Sequence, residues 1–242
     1  EPLIVARGED DQVRVLSNVC RHRSSVILEG KGNAKNFVCP YHAWSYANPG
    51  QLLRAPYMDQ VKGFDVKGCR LPEFKTEVWH GFLYVNLDGK AKPLAPRLKG
   101  LEPYLQNRHP EDMAVHAVLD EVWPTNWKCL AENYMEGYHV FSVHPQLLEF
   151  APMNLRWSGE WHRHVFYNDY VFPEVATGRG ENLPHYPGLA GDDSRRGLWF
   201  MCFPSFAVEV YPDQFTVLAA YPVAPDLTRE ELHLFLIGDA AT

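Results

Sequence analysis

Two pairs of cysteine and histidine residues lie close together near the start of this 242-residue chain. Cys20 and His22 are separated by one residue in NVCRHR, and Cys39 and His42 by two residues in CPYHAWSY. Thiolate sulfur and imidazole nitrogen are ligands of zinc, copper and iron–sulfur clusters, and four such donors complete a tetrahedral or a two-iron site. The spacing therefore predicts one metal site built from two loops.

The order of these four residues indicates the kind of metal site. A zinc finger usually keeps its cysteines together and its histidines together, whereas here each pair contains one of each. Interleaved pairs suit a [2Fe–2S] cluster in which Cys20 and Cys39 hold one iron and His22 and His42 hold the other, which is Rieske ligation. Neutral imidazoles in place of two thiolates raise the reduction potential. A zinc site and metal-free core residues are the alternatives.

A second group of donors lies in ENYMEGYHVFSVHP, where Glu136, His139 and His144 follow the order E-x2-H-x4-H. Two histidines and a carboxylate can occupy one face of a ferrous ion and leave positions open for O₂ and substrate. Glu136 and His139 are three residues apart and would be neighbours on a helix. His139 and His144 are five apart, so the helix must end or bulge between them, and Pro145 supplies a reason.

The elements that position these residues differ between the two halves of the chain. Residues 1–88 read as short β-strands rich in Val, Phe, Tyr and Trp, with breaks at GKGN and NPGQ. Residues 126–141 have helical spacing of apolar side chains, and Thr125 or Asn126 is the candidate N-cap. Further strands are expected around residues 155–172, 198–210, 214–224 and 231–238, with a loop at 173–197.

A Pro-, Gly- and Lys-rich stretch at residues 90–100 is the best candidate for a domain boundary. We therefore predict one domain over residues 1–95, which holds the cluster ligands. The second domain, over residues 96–242, holds the mononuclear iron ligands.

Composition excludes several classes of function. Hydrophobic residues make up 46% of the chain and charged residues 22%, as in an ordinary globular protein. The net charge of −7 argues against a nucleic-acid surface, and no polybasic patch or apolar run near eighteen residues indicates a membrane. Five cysteines spread over this length do not resemble a disulfide framework, so we expect a reducing cytoplasm.

NVCRHR…CPYHAWSY and NWKCLAENYMEGYHVFSVHP together resemble the oxygenase (alpha) subunits of Rieske non-haem iron ring-hydroxylating oxygenases. The resemblance covers most of the chain. It implies an α+β fold, with a β-rich Rieske [2Fe–2S] domain before a catalytic domain whose antiparallel sheet is flanked by helices. It also implies a homotrimer. The ligands it implies are Cys20, His22, Cys39 and His42 for the cluster, and His139 and His144 for a mononuclear Fe(II).

The carboxylates depart from the family pattern. Many members have an aspartate three residues before the first iron histidine, where this chain has Glu136. The resemblance implies that this carboxylate links a neighbouring subunit's cluster ligand to His139 and does not itself bind iron. The family's carboxylate iron ligand lies on a late helix. Asp213, Asp226 and Asp239 are candidates by residue type alone, and we expect the ligand to lie beyond Thr242, in a chain that looks truncated at both ends.

The function implied is hydroxylation or oxidative demethylation of a small organic substrate with O₂. NAD(P)H would supply electrons indirectly, through a flavin and iron–sulfur reductase or a ferredoxin. The glutamate in ENYMEGYH is similar to that of the branch acting on choline, betaine or carnitine; an aromatic ring or aromatic acid is the alternative substrate. A ferredoxin-like electron carrier and a zinc-stabilised interaction module are alternatives of another class. Candidate pocket residues are Tyr134, Met135, Phe141 and Trp157.

Overall fold

The computed structural model describes residues 1–149, 152–162, 165–172, 183–204 and 206–238. The chain divides into two compact units, Glu1–Lys92 and Pro93–Thr242. The predicted boundary after residue 95 lies in the same Pro- and Lys-rich stretch, and its exact residue stays a prediction.

The regular structure of the first unit is nearly all β-strand, joined by long turns and loops. Its seven strands are β1 (Leu3–Arg7), β2 (Val13–Ser17), β3 (Asn36–Val38), β4 (Ser45–Ala47), β5 (Leu52–Arg54), β6 (Glu73–Trp79) and β7 (Phe82–Asn86). They form a four-stranded sheet in the order β1-β2-β6-β7 and a three-stranded sheet in the order β3-β4-β5. All neighbouring strands are antiparallel, so tight turns can connect them.

The two candidate cysteine ligands belong to the hydrophobic core of this unit, whereas His22 is partly exposed and His42 is exposed. Leu16, Tyr46 and Leu71 are fully buried, and Cys20 and Cys39 lie in the same cluster of buried side chains. Packing on both sides of the ligand loops therefore limits where the two thiols can point.

The second unit is built on one seven-stranded antiparallel sheet. Its strands are β8 (Ala114–Trp123), β9 (Arg156–His162), β10 (Val165–Val171), β11 (Arg196–Cys202), β12 (Phe206–Val210), β13 (Gln214–Ala224) and β14 (Leu227–Leu236). Their order is β8-β14-β13-β12-β11-β10-β9, so the first strand pairs with the last and the others follow the chain as a meander. The predicted strand segments 155–172 and 198–210 each contain two strands. Part of the predicted loop at 173–197 lies outside the described residues.

In the described part of this unit, four α-helices accompany the sheet: α1 (Ala95–Leu98), α2 (Glu102–Leu105), α3 (Trp127–Met135) and α4 (Val140–Val143). Helix α3 contacts β10, β11 and β13. The prediction of an α+β fold with an antiparallel sheet and helices is confirmed. Within the described part of the chain, no helix is long and apolar enough to cross a membrane.

The predicted helix over residues 126–141 is wrong in its last part. Asn126 is the N-cap, and its side chain accepts the Lys128 N–H at 3.0 Å. The helix ends at Met135 because Glu136 has an extended backbone, with φ −87° and ψ 112°. The chain returns to helix only for the single turn of α4, so Pro145 is not what ends α3.

Candidate metal centres

The first ligand loop is closed by two backbone hydrogen bonds. The Cys20 N–H donates to the Ser25 carbonyl at 2.9 Å, and the Ser24 N–H donates back to the Cys20 carbonyl at 3.1 Å. Ser24 has φ 55°, a left-handed conformation that turns the chain sharply. The turn brings the chain back on itself directly after the two candidate ligands of this loop.

The second ligand loop repeats this pattern. The Cys39 N–H donates to the Trp44 carbonyl at 2.8 Å, and the Ala43 N–H donates to the Cys39 carbonyl at 3.0 Å. Ala43, four residues after its cysteine, has φ 56°. The two loops therefore present their cysteines from equivalent backbone positions, although one spacing is C-x-H and the other C-x2-H. This equivalence is not visible in the sequence, because neither left-handed residue is a glycine.

The fold brings the four predicted cluster ligands together. The imidazole rings of His22 and His42 have centroids 4.5 Å apart. Cys20 and Cys39 are 3% and 2% exposed and lie in one cluster of buried side chains. Each loop thus contributes one cysteine and one histidine, as Rieske ligation requires.

Two observations fit these residues to metal ligation. His22 Nδ1 is buried and has no hydrogen-bond partner. An unpaired buried nitrogen destabilises the folded protein, and a metal bound to this nitrogen would remove that cost. Burial favours the neutral Cys39 thiol. Hydrogen bonds from the Tyr41 and His42 N–H groups and from the Cys20 and Ser25 side chains outweigh it and lower the pKa of Cys39. A lowered thiol pKa favours the thiolate that metals bind.

Among the described residues, no three His, Cys, Asp or Glu side chains gather around one point as ligands of a single metal ion. A Rieske cluster does not need such a triplet, because each of its irons takes two protein ligands and shares bridging sulfides. Two facing pairs are therefore the donor set that fits this group.

Tyr46 is a polar neighbour of this centre that sequence analysis did not identify. Its hydroxyl lies 3.3 Å from Cys20 Sγ and accepts the Arg21 N–H at 3.1 Å. Burial is the main cause that raises the pKa of Tyr46 well above its ordinary value, so the phenol stays protonated and can donate to sulfur. Its position in CPYHAWSY, two residues after a buried tryptophan, was the available signal.

In the second unit, Glu136 contacts the first predicted iron ligand. Its Oε2 lies 2.9 Å from His139 Nδ1, and its Oε1 accepts the His139 N–H at 3.2 Å and the Tyr138 N–H. The His139 ring is the largest cause that lowers the pKa of Glu136, followed among the lowering causes by these backbone N–H groups. An imidazole that donates from Nδ1 has its Nε2 lone pair free for a metal.

His139 and His144 stand at the two ends of α4. His139 is the N-cap residue and His144 the C-cap residue of this one-turn helix. Their ring centroids are 5.4 Å apart. The five-residue spacing therefore brings both imidazoles together because a short helix lies between them, and not because one long helix bulges.

The third ligand of a mononuclear iron is not found among the described residues. Asp213 is 3% exposed and lies in the turn between β12 and β13, while Asp226 is exposed in the turn between β13 and β14. Asp239 lies outside the described residues. A carboxylate ligand beyond Thr242 stays a prediction.

The candidate pocket residues are dispersed. Tyr134 is half-buried, stacks on Trp199 with centroids 5.6 Å apart, and lines a small crevice. The other residues of this crevice are Leu130, Ala131, Met201, Pro204, Leu218, Ala220 and Glu230. Met135 is half-buried, Phe141 is 48% exposed, and the Trp157 side chain lies outside the described residues. Substrate contact by these residues stays a prediction.

Comparison with known proteins assigns the family. Residues 107–242, more than half of the chain, match the model for the ring hydroxylating alpha subunit (catalytic domain). Residues 1–65 match the Rieske [2Fe–2S] domain. The chain belongs to the ring hydroxylating alpha subunit family. The resemblance inferred from the two motifs is thus confirmed.

This alpha subunit is 28% identical over its whole length to the carnitine monooxygenase oxygenase subunit of Acinetobacter baumannii, and it spans 64% of that protein. It is 30% identical over 92% of its length to putrescine 2-hydroxylase of Ralstonia nicotianae, and spans 60% of that relative.

Solved structures show the same fold. The quaternary ammonium Rieske monooxygenase CntA superposes with a TM-score of 0.80 at 26% identity, covering 98% of this alpha subunit and 62% of CntA. Naphthalene 1,2-dioxygenase from Rhodococcus sp. superposes with a TM-score of 0.76 at 22% identity and covers 98% and 62% of the two chains, a likeness of fold alone.

Proposed function

We propose that this protein is the oxygenase subunit of a Rieske non-haem iron oxygenase. It would use O₂ and electrons from a reductase to hydroxylate or oxidatively demethylate a small organic substrate. The observation that carries the proposal is that one chain holds a paired Cys and His site in its first unit and, in its second, two histidines at the ends of one short helix. A ferredoxin-like carrier would need only the first of these sites.

In this proposal Cys20, His22, Cys39 and His42 hold the [2Fe–2S] cluster, and His139 and His144 hold the mononuclear iron. The two metal groups supply the electron transfer and the activation of O₂. Glu136 accepts the His139 Nδ1–H and so orients the imidazole toward the metal position. Its remaining acceptor capacity can take a ring N–H from the partner subunit's cluster ligand.

Metal content tests this assignment. Anaerobically prepared full-length protein should contain iron and acid-labile sulfide, and its reduced cluster should show the low average g of mixed Cys and His ligation. His139→Ala should abolish oxygenation and leave the cluster spectrum unchanged. A colourless protein with stoichiometric zinc would instead show a zinc-stabilised module.

We propose a quaternary ammonium compound as the substrate. Support comes from Glu136 at the position where many family members have aspartate, and from full-length similarity to carnitine monooxygenase oxygenase subunits. A 148-residue part of the chain is 36% identical to the glycine betaine monooxygenase oxygenase subunit of Chromohalobacter salexigens, covering 61% of this chain and 33% of that relative.

An aromatic substrate is the second candidate. The supporting observation is 36% identity over 145 residues, 58% of this chain and 37% of the relative, to the 2-aminobenzenesulfonate 2,3-dioxygenase alpha subunit of an Alcaligenes species. Turnover of carnitine and betaine against a panel of benzoates and aminobenzenesulfonates, with one reductase, separates the two candidates. Product formed only from the aromatic acids would remove the quaternary ammonium assignment.

We further propose a homotrimer in the reducing cytoplasm. Residues 1–92 carry 13 Lys and Arg against 10 Asp and Glu, whereas residues 93–242 carry 10 against 20. Opposite net charges on the two units favour contact between the first unit of one copy and the second unit of another. None of the five cysteines forms a disulfide, consistent with a reducing compartment. Sedimentation of the full-length protein at low and high salt tests the assembly.

A further inference from the structure

A buried amide of the second unit, on the strand next to the edge strand β9, contacts the end of helix α3. Asn168 lies on β10 and is 1% exposed. Its Nδ2 donates to the carbonyl oxygen of Met135 at 3.0 Å. Its Oδ1 accepts the hydroxyl of Ser158, the residue directly opposite on β9, at 2.5 Å. The amide therefore joins two strands of the sheet to the helix.

Asn168 contacts the last residue of helix α3. Met135 is the last residue of α3, and the carbonyls of a last helical turn have no partner within the helix. The usual partner at such an end is the N–H of a following left-handed residue, often glycine. Here Glu136 is extended, so a side chain from the sheet provides the donor for the Met135 carbonyl.

The direction of the chain after Met135 decides where the predicted iron ligand lies. Glu136 follows immediately, and its carboxylate binds His139 through both the ring and the backbone N–H. If α3 continued through these residues, the Glu136 carboxylate could not accept the Tyr138 and His139 N–H groups, which would then be bonded within the helix. The contacts between Glu136 and His139 therefore require α3 to end before these residues.

We propose that Asn168, oriented by Ser158, is a positioning residue that fixes the end of α3 and through it the placement of Glu136 and His139 at the metal position. The metal part of this inference rests on the proposed function. An amide suits this role, because its NH₂ group donates to the Met135 carbonyl while its oxygen accepts the Ser158 hydroxyl. An aspartate at position 168 would place a carboxylate oxygen, which is an acceptor, beside the Met135 carbonyl oxygen, which is also an acceptor.

Ser158→Ala is the main test, because this side chain is exposed and its removal leaves the buried packing intact. Ser194→Ala is the matched control, since it removes another exposed hydroxyl of the same unit, bonded to the Gly191 carbonyl at 2.7 Å. Ser158→Thr retains the hydroxyl and should restore the wild-type result. Asn168→Asp is the stronger variant, and Tm reports whether it folds.

The measurement is the iron dissociation constant of the full-length protein, by competition with a chelator, with cluster absorbance as an internal standard. Loss of an outer contact to a metal ligand typically weakens binding 10- to 100-fold. We expect about tenfold or more for Asn168→Asp and a smaller loss of roughly threefold for Ser158→Ala, with unchanged cluster content. An iron constant within twofold of wild type in folded Ser158→Ala would overturn the proposal, whether or not Asn168→Asp folds.

A second measurement separates this proposal from the proposed function. The Glu136 N–H donates to the Glu132 carbonyl at 2.8 Å and reports on the end of α3. Its hydrogen exchange should be faster in Ser158→Ala than in Ser194→Ala, with or without iron. If the wild-type protein binds no iron, the proposed function fails, and the exchange rate alone tests whether Asn168 fixes the end of α3. Equal exchange rates of the Glu136 N–H in the two variants would overturn this positioning role.

Discussion

The indole of Trp44 lies face to face with the imidazole of His22, with ring centroids 4.8 Å apart and planes 6° from parallel. Trp44 comes from the second ligand loop and is 4% exposed, whereas His22 comes from the first. The Trp44 ring also meets that of Phe64, with centroids 5.4 Å apart and planes tilted by 56°. Stacking across the loops therefore fixes the plane of a candidate ligand before any metal binds.

Replacement of Trp44 tests this contact. Trp44→Ala removes a buried aromatic side chain and should lower the free energy of unfolding by about 3–5 kcal/mol. Trp44→Phe keeps an aromatic plane and should lose less. Denaturant unfolding, followed by visible absorbance of the cluster, measures both. The role is contradicted if the two variants lose cluster and stability equally.

Tyr46→Phe should lower the reduction potential of the cluster. The Tyr46 hydroxyl lies 3.3 Å from Cys20 Sγ, and a hydrogen bond to sulfur stabilises the more negative, reduced state. A difference of about 1 kcal/mol corresponds to roughly 40 mV for one electron. Potentiometric titration followed by EPR measures the shift. Tyr41→Phe, at an exposed tyrosine of the same loop, is the control and should shift the potential less.

Asn126→Ala should destabilise α3. The Asn126 side chain accepts the Lys128 N–H at 3.0 Å and donates to the Pro225 carbonyl at 2.6 Å. Loss of an N-cap costs about 1 kcal/mol, and the lost bond to Pro225 adds to it. Asn126→Asp keeps the cap and loses only the second bond, so it should cost less. Equal Tm values for the two variants would show that the loss of stability comes from the hydrogen bond to the Pro225 carbonyl alone and that the cap contributes nothing.

Stability at alkaline pH should depend on Cys202. Burial raises the pKa of this thiol to about 11 from an ordinary value of 9.0, although Arg97 opposes the shift. A group whose pKa is raised by folding stabilises the folded state below its unfolded pKa, and this contribution is lost as pH rises from about 9 to about 11.

Cys202→Ala should therefore show a smaller loss of stability over this pH range, by roughly 2 kcal/mol relative to wild type. Unfolding in denaturant at several pH values measures the difference. Cys129→Ala, at an exposed thiol, should retain the wild-type slope. The same slope in both variants would show that Cys202 ionises as freely in the folded state as in the unfolded chain.

The sequence was most informative where chemistry restricts residue type. Metal ligation needs sulfur and imidazole donors at short spacing, so Cys20, His22, Cys39 and His42 could be grouped without a structure. The β-rich start and the Asn126 cap were predictable because they depend on local preferences. The end of α3 was missed although Gly137 is a local stop signal. The donor to the Met135 carbonyl could not be predicted, because it comes from Asn168 on a distant strand.

The sequence by itself determined the family and the α+β class and predicted the candidate metal ligands, because donor chemistry and strand or helix periodicity depend on neighbouring residues. Only the tertiary structure decided how the ligands are oriented. Trp44 meets His22 across two loops, and Asn168 meets Met135 from 33 residues away. Such contacts depend on packing between distant segments, which no local pattern specifies.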